Sequence, residues 1–446
     1  MKIAYLEVNV IHRNSIIMSA KLINTIYSYS ENLFVIAAEK RFYPYLLCWD
    51  IECFFSKEHL PQTANGKLEY QARHNLALVS VISNVPDFDE PFTVISEGDE
   101  QKLMETTMQR MVDCSKRASS LLIKEYYPYL KRIDEEITIR SKSEMDALMS
   151  ICGDDEEQLQ RFLSRQKTHP LQKLKSKLMS WLTSLPCFSF NGGKYDMVCC
   201  KQYIVSFINR NVEGGVAFVV KNGLKYKVIS SKALTFLDVL SYLPGNTSYA
   251  RYLKSFGVDE EKFFFPYEAF NSLDFLKLDT LPPHTAYFSS LNQANISVAD
   301  YERCQEVWTR EGFKDMADYL RYYNSMDVIG MLKGLKIQKG YFMEMGLCLS
   351  KDAISLPGLA SKYLFRTMPP NTFFSLYKSD PEFYDQIRSA VRGGISMIFN
   401  RYQEAGVTKI REDEFGDAAK DTKSIMGFDV SGMYLSVMMQ PQPVGE

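Results

Sequence analysis

The sequence predicts an α/β protein, with strand and helix signals in turn along the chain. Three observations predict it. Residues 46–100 are strand-like and punctuated by polar turns, 101–182 turn helical, and strand, helix and hairpin signals then alternate through 184–339. At 446 residues and 46% hydrophobic content, the chain can build two or three cored domains.

Charge and cysteine usage narrow the function classes. Lys and Arg number 52 against 54 Asp and Glu, a net charge of -2, so no global basic field marks a polyanion binder and any such site is local. The nine cysteines show no CxxC pair, and neither the adjacent Cys199 and Cys200 nor the five histidines have zinc-site spacing. A reducing, intracellular setting is the expectation. The opening MKIAYLEVNVIHRN is broken by Glu7 and Asn9 and lacks a small-residue cleavage pattern, and no apolar run is long enough for a bilayer; no membrane partner is expected.

Residues 1–45 are strand-like but irregular. LLCWDIECFF (46–55) reads as an apolar strand, and TANG and NVPDFDEP supply turns after it. In the helical stretch, DDEEQ (154–158) precedes the base-rich RFLSRQKTHPLQKLKSK (161–177), a solvated helical face by default. SLPCFSFNGGKYDMVCCKQYIVSFI (184–208) reads as a strand, a turn at Asn191-Gly192-Gly193 and a helix starting near Tyr195. VAFVVKNGLKYKVI (216–229) is a hairpin around Asn222-Gly223, and TFLDVLSYL (235–243) follows. A helix over 314–339 carries the apolar stripe Met316, Leu320, Tyr323, Met331 and Leu335, with Asp327 inside it. ISLPGLASKYLF (354–365) is expected to break at Pro357-Gly358 before another helix, which Pro369-Pro370 ends.

Three places hold a carboxylate where packing alone would not want one: Asp50 with Glu52, Asp196, and Asp327. On a strand, Asp50 and Glu52 share one face while Trp49, Ile51 and Cys53 line the other, so the charges face both desolvation and mutual repulsion. A hard divalent cation, Mg²⁺ or Mn²⁺, would compensate; an edge strand with one wet face is the plain alternative. Asp196 falls in a first helical turn, where acids are common, behind two glycines that let backbone approach a bulky ligand such as a nucleotide strand. Tyr323 and Asp327 are four apart and share the core-facing side of their helix, where Asp327 could also simply bond a Tyr or a backbone group. Together the pieces fit one mechanism, in which four carboxylates hold two metal ions that activate a water and stabilise the leaving oxygen of a phosphodiester, with Tyr323 orienting the water.

The order of these elements resembles the Exo I, Exo II and Exo III motifs of DEDDy-type 3′→5′ exonucleases, the proofreading domain of family B DNA polymerases. GFDVSGMYLSVMM (427–439) resembles polymerase motif A, with Asp429 as the metal-binding acid and Tyr434 against the incoming sugar, although Gly432, Met433 and Leu435 replace the usual Ser, Leu and Pro. VRGGISMIF (391–399) is similar to the Y-x-G-G element between the two domains, with Val391 in place of Tyr. SFNGGKYD, LPPHTAYFSSLNQANISVADYERCQEVW, YNSMDVIG, ISLPGLASKYLF and GFDVSGMYLSVMMQ most resemble the protein-primed branch, especially the Polinton/Maverick-type transposon enzymes, from about residue 46 onward.

The resemblance implies a ribonuclease H-like exonuclease domain over 46–345 with a helical insertion at about 101–182, larger than compact phage members carry. A connecting region over 346–420 holds the Gly-Gly element, the start of a polymerase palm covers 421–446, and residues 1–45 have no assigned role. It implies catalytic roles for Asp50, Glu52, Asp196, Tyr323 and Asp327, with two Mg²⁺ or Mn²⁺ ions on the four acids and a further metal-binding role for Asp429. DNA contacts are implied at Asn191, Gly192, Gly193, Arg392, Gly393 and Gly394, and nucleotide contacts at Asp429 and Tyr434. The implied partners are a single-stranded 3′ end, a primer-template, a dNTP in a full enzyme and a terminal protein primer; a nuclear location is implied by resemblance alone. Motifs B and C are not present before Glu446, so this chain by itself is expected to support the exonuclease but not nucleotide addition. Two other readings stay open, a non-catalytic single-stranded DNA-binding remnant of a mobile element and a free-standing nuclease.

Overall fold

In the computed structural model the described residues are 42–57, 60, 71–152, 160, 170–260, 262–369, 380–390, 397, 401–410, 412–427, 431 and 433–441. The readings made for 1–41, the TANG turn, the DDEEQ run, Arg392, Gly393, Gly394 and Asp429 lie outside them. The chain divides into two compact units, residues 1–373 and 374–446.

The first unit is α/β and is built on one seven-stranded mixed sheet. Strands β1 (Leu47–Ser56), β2 (Arg73–Ser83) and β3 (Phe92–Ile95) form an antiparallel meander. Helices α1 (Glu100–Cys152) and α2 (Pro170–Thr183) come next, then β4 (Leu185–Ser189) and α3 (Asp196–Asn211). The hairpin β5 (Val216–Asn222) and β6 (Lys225–Ser231) leads to β7 (Leu234–Asp238). Across the sheet the order is β3-β2-β1-β4-β7-β6-β5, with β1, β4 and β7 parallel. Helices α4 (Tyr249–Ser255), α5 (Val298–Glu311), α6 (Met316–Glu344) and α7 (Leu356–Thr367) complete the unit.

Period-two alternation sorts the strands between two helical layers. Trp49, Ile51 and Cys53 of β1 point with Cys187 and Phe236 into a core shared with α1, α2 and α3. Leu46, Cys48, Phe188 and Leu237 point to the other side, against Tyr252 of α4 and Val328, Met331 and Leu335 of α6. A third cluster, around Phe263, Phe270, Tyr319 and Tyr323, closes the far end of that second side. β1 pairs with β2 throughout but with β4 only at Leu47 and Cys48, so its two acids lie on a locally open edge, although Glu52 there is buried rather than wet.

The helices follow their stripes. α1 starts at Asp99, whose carboxylate accepts from the Lys102 amide at 3.0 Å, and buries Met104, Met108, Met111, Leu122 and Tyr126 at three- and four-residue spacing. α6 starts at Asp315, which caps the Asp318 amide at 2.9 Å, and every residue of its expected stripe is buried. One expectation fails. Pro357 and Gly358 do not break the chain ahead of α7 but lie in its first turn, where the missing proline N–H costs no helical hydrogen bond. Leu347, Leu349 and Leu359 pack into the second core, so the first part of the 346–420 stretch belongs to this unit.

In the second unit the described residues include helices α8 (Pro381–Ala390), α9 (Glu412–Phe415) and α10 (Met433–Met438) and a bridge between Lys409 and Asp421. Among the described residues no helix is long and apolar enough to cross a membrane.

Candidate metal centre

The site lies at the carboxyl ends of the parallel strands, where open α/β sheets commonly hold ligands. β4 last pairs with β1 where Phe188 meets Cys48 and leaves the sheet after Ser189, so β1 runs on alone past that neighbour. Asp50 and Glu52 sit on this overhanging stretch, on the face that holds Cys48 before them and Phe54 after them. α6 crosses the same face and brings Tyr323, Asn324 and Asp327 to it.

Carboxylate oxygens of Asp50, Glu52 and Asp327 all lie within 4.8 Å of one another. This acidic triad, with Glu52 and Asp327 buried and Asp50 half-buried, can hold a metal ion: its donors are hard oxygens, brought together from β1 and α6, far apart in sequence. Asn324 ties the two elements together. Its Nδ2 donates to Asp50 Oδ2 at 2.7 Å and to Glu52 Oε1 at 3.3 Å, and its own Oδ1 is buried without a partner. The Tyr267 hydroxyl lies 3.2 Å from Glu52 Oε1 and 2.9 Å from the Tyr323 hydroxyl. The backbone of α6 is held from behind by Tyr249, whose hydroxyl donates to the Asp327 carbonyl.

Asp196, on α3, is not part of that 4.8 Å group; the structure ties it to the triad only through the charges of Asp50 and Glu52, which act on it. It is the first residue of that helix, as the turn signal predicts, and it is buried with Oδ2 unpartnered. The two glycines before it make the turn possible by lacking side chains. A Cβ on Gly192 would overlap the Ser189 hydroxyl and lie 2.8 Å from Asp196 Oδ2; a Cβ on Gly193 would overlap the Tyr226 carbonyl. Both glycines are buried, so the room they free is taken by the protein's own packing. Asn191 adopts φ 60°, the left-handed conformation that Asn tolerates better than most residues.

Electrostatics sets the four acids apart from ordinary surface carboxylates. Burial, then the Asp327 charge, pushes Asp50 from its ordinary 3.8 up to about 7. Burial and then Asp50 hold Glu52 well above the usual range, and the same two causes act on Asp196. Burial raises Asp327 as well, although Lys262 opposes it. Lys262 Nζ stands 3.6 Å from Asp327 Oδ2 and 5.9 Å from the Tyr323 ring centre. Burial alone would lower the Lys262 pKa, but the surrounding Tyr323, Asp327, Glu52 and Asp50 raise it, so it stays charged.

No family model, curated protein or solved structure matches this chain. The chemistry of the site therefore carries the functional reading. Tyr434 is exposed, on α10 of the second unit. Asn324, Lys262, Tyr267 and Asp238 were not singled out by sequence reasoning. Asn324 had the same signal as Asp327, a polar residue on a buried helical stripe, and Asp238 ends an apolar strand much as Asp50 interrupts one. Lys262 and Tyr267 lie on an irregular aromatic loop with no periodicity to mark them.

Proposed function

We propose that residues 46–345 form a two-metal 3′→5′ exonuclease of ribonuclease H-like architecture, the proofreading domain of a protein-primed family B DNA polymerase. The observation that carries the reading is the meeting of Asp50, Glu52 and Asp327 oxygens within 4.8 Å, with Tyr323 on the same helical face as Asp327. A seven-stranded mixed sheet with helices on both sides supports the architecture. The unpartnered buried Asp196 Oδ2 fits a ligand, because a carboxylate oxygen left bare in a protein interior is costly.

Asp50, Glu52, Asp196 and Asp327 would hold two Mg²⁺ or Mn²⁺ ions. Bound there, the ions supply a hydroxide-like nucleophile and charge stabilisation for the phosphodiester. The chain's own residues do the rest. Asn324 keeps Asp50 and Glu52 from splaying apart under their mutual repulsion. Tyr323, set by the Tyr267 hydroxyl, orients the attacking water. Lys262 adds a cation beside Asp327, where negative charge builds on the phosphate. The aromatic walls around Tyr323, Phe265 and Tyr267 keep bulk water off the acids.

In this reading the substrate is a single-stranded 3′ end, and primer-template DNA, dNTP and a terminal protein primer belong to the full enzyme. Nucleotide addition rests on the likeness of 427–439 alone. The test is hydrolysis of 3′-labelled single-stranded DNA with Mg²⁺ or Mn²⁺. Loss of mononucleotide release in Asp50→Ala with Glu52→Ala, and a milder loss in Tyr323→Phe, is the expected pattern. Equal DNA binding by wild type and double variant without cutting by either would favour the non-catalytic remnant, and preferential cutting of RNA would favour a free-standing nuclease.

A further inference from the structure

A fifth buried carboxylate, Asp238, lies beside the turn that carries Asp196, and it is ion-paired to Lys225. It ends β7 and is 2% exposed. One oxygen accepts from the Leu240 amide at 3.0 Å, and the other meets Lys225 Nζ at 2.8 Å. Lys225 comes from the start of β6, next to the Asn222-Gly223 tip of the β5–β6 hairpin. This pair is the surface on which the Asn191-Gly192-Gly193 turn rests. A Cβ on Gly193 would lie 3.0 Å from Asp238 Oδ2 and 3.2 Å from Lys225 Cε, and the Tyr226 amide donates to the Gly193 carbonyl at 2.8 Å. The Gly192 carbonyl in turn accepts from the Met197 amide at 2.9 Å, in the first turn of α3 that holds Asp196.

We propose that the Lys225–Asp238 ion pair is a positioning device for Asp196, tying the hairpin to the Gly-Gly turn and screening Asp196 from a neighbouring buried negative charge. Without the lysine, Asp238 stands uncompensated against the turn, and both repulsion and lost packing move Asp196 from its place at the start of α3. Arginine at 225 keeps the charge. Removing both charges removes the repulsion.

The proposal rests on the metal-site reading for its activity arm but has an independent structural arm. Four full chains are compared: wild type, Lys225→Met, Lys225→Arg, and Lys225→Met with Asp238→Asn. Amide hydrogen exchange is followed over 192–197, together with Mn²⁺ affinity by electron paramagnetic resonance and kcat and KM for 3′-end hydrolysis. Lys225→Met is expected to speed exchange in 192–197, weaken Mn²⁺ binding about tenfold and lower kcat more than it raises KM. Lys225→Arg and the double variant are expected to recover most of each loss. Unchanged exchange and Mn²⁺ affinity in a Lys225→Met chain that melts like wild type overturns the proposal. So does a loss that neither Lys225→Arg nor the double variant restores. If wild type itself binds no Mn²⁺ and cuts nothing, the exonuclease reading fails, and the pair's role is then decided by the exchange pattern alone.

Discussion

The half-buried Asp50, set against buried Glu52 and Asp327, should make the metal-free protein less stable as pH rises, which is opposite to the usual behaviour of salt-bridged carboxylates. The sign follows from linkage. Asp50 has a folded-state pKa raised from 3.8 to about 7, so between those values the folded state holds more protons than the unfolded chain and stability falls with pH. Its contribution is intact below pH 3.8 and fully lost above about 7. From pH 5 to pH 8 the loss spans about two pH units, which at about 1.4 kcal/mol each is about 3 kcal/mol, or a melting shift of about 5 °C for a unit of this size. The assay is thermal unfolding in EDTA at pH 5 and pH 8 for wild type and Asp50→Asn, repeated with excess Mg²⁺. Wild type should lose about 5 °C more than Asp50→Asn on going to pH 8, and Mg²⁺ should restore wild type at pH 8 far more than at pH 5. Equal pH responses in the two proteins, or a Mg²⁺ effect of the same size in both, would refute the reasoning that these acids are strained together and await a cation.

Other perturbations probe separate parts of the site. Gly192→Ala places a methyl on the Ser189 hydroxyl and should cost about 2 kcal/mol by urea unfolding, with Ser189→Gly in the same chain recovering part of it. Asn324→Leu should leave stability near wild type at pH 5, where Asp50 is protonated, and lower it by about 2 kcal/mol at pH 8 in EDTA, because a charge-assisted hydrogen bond to Asp50 is lost. Lys262→Met should lower kcat for 3′-end hydrolysis by about 10²-fold with little change in Mn²⁺ affinity, so a matching loss of Mn²⁺ binding would instead make Lys262 a structural partner of Asp327.

Local pattern made much of this protein legible in sequence. Alternation along LLCWDIECFF placed Asp50 and Glu52 on one face, the Asn-Gly-Gly turn placed Asp196 at a helix start, and the stripe of α6 placed Tyr323 and Asp327 together, because each depends only on residues within one or two turns of chain. The hairpin at Asn222-Gly223 followed from the same short-range chemistry. What sequence left open was whether Asp50, Glu52 and Asp327 meet, since that depends on which elements pack together. Tertiary structure decided it by ending β4 at Ser189, so that β1 overhangs its parallel neighbour, and by laying α6 across the overhang. It also supplied partners without a local signature: Asn324 between Asp50 and Glu52, Lys262 beside Asp327, and Lys225 on Asp238, each joining positions 13 to 274 residues apart. A sequence shows where a charge is out of place; only the packed chain shows what stands against it.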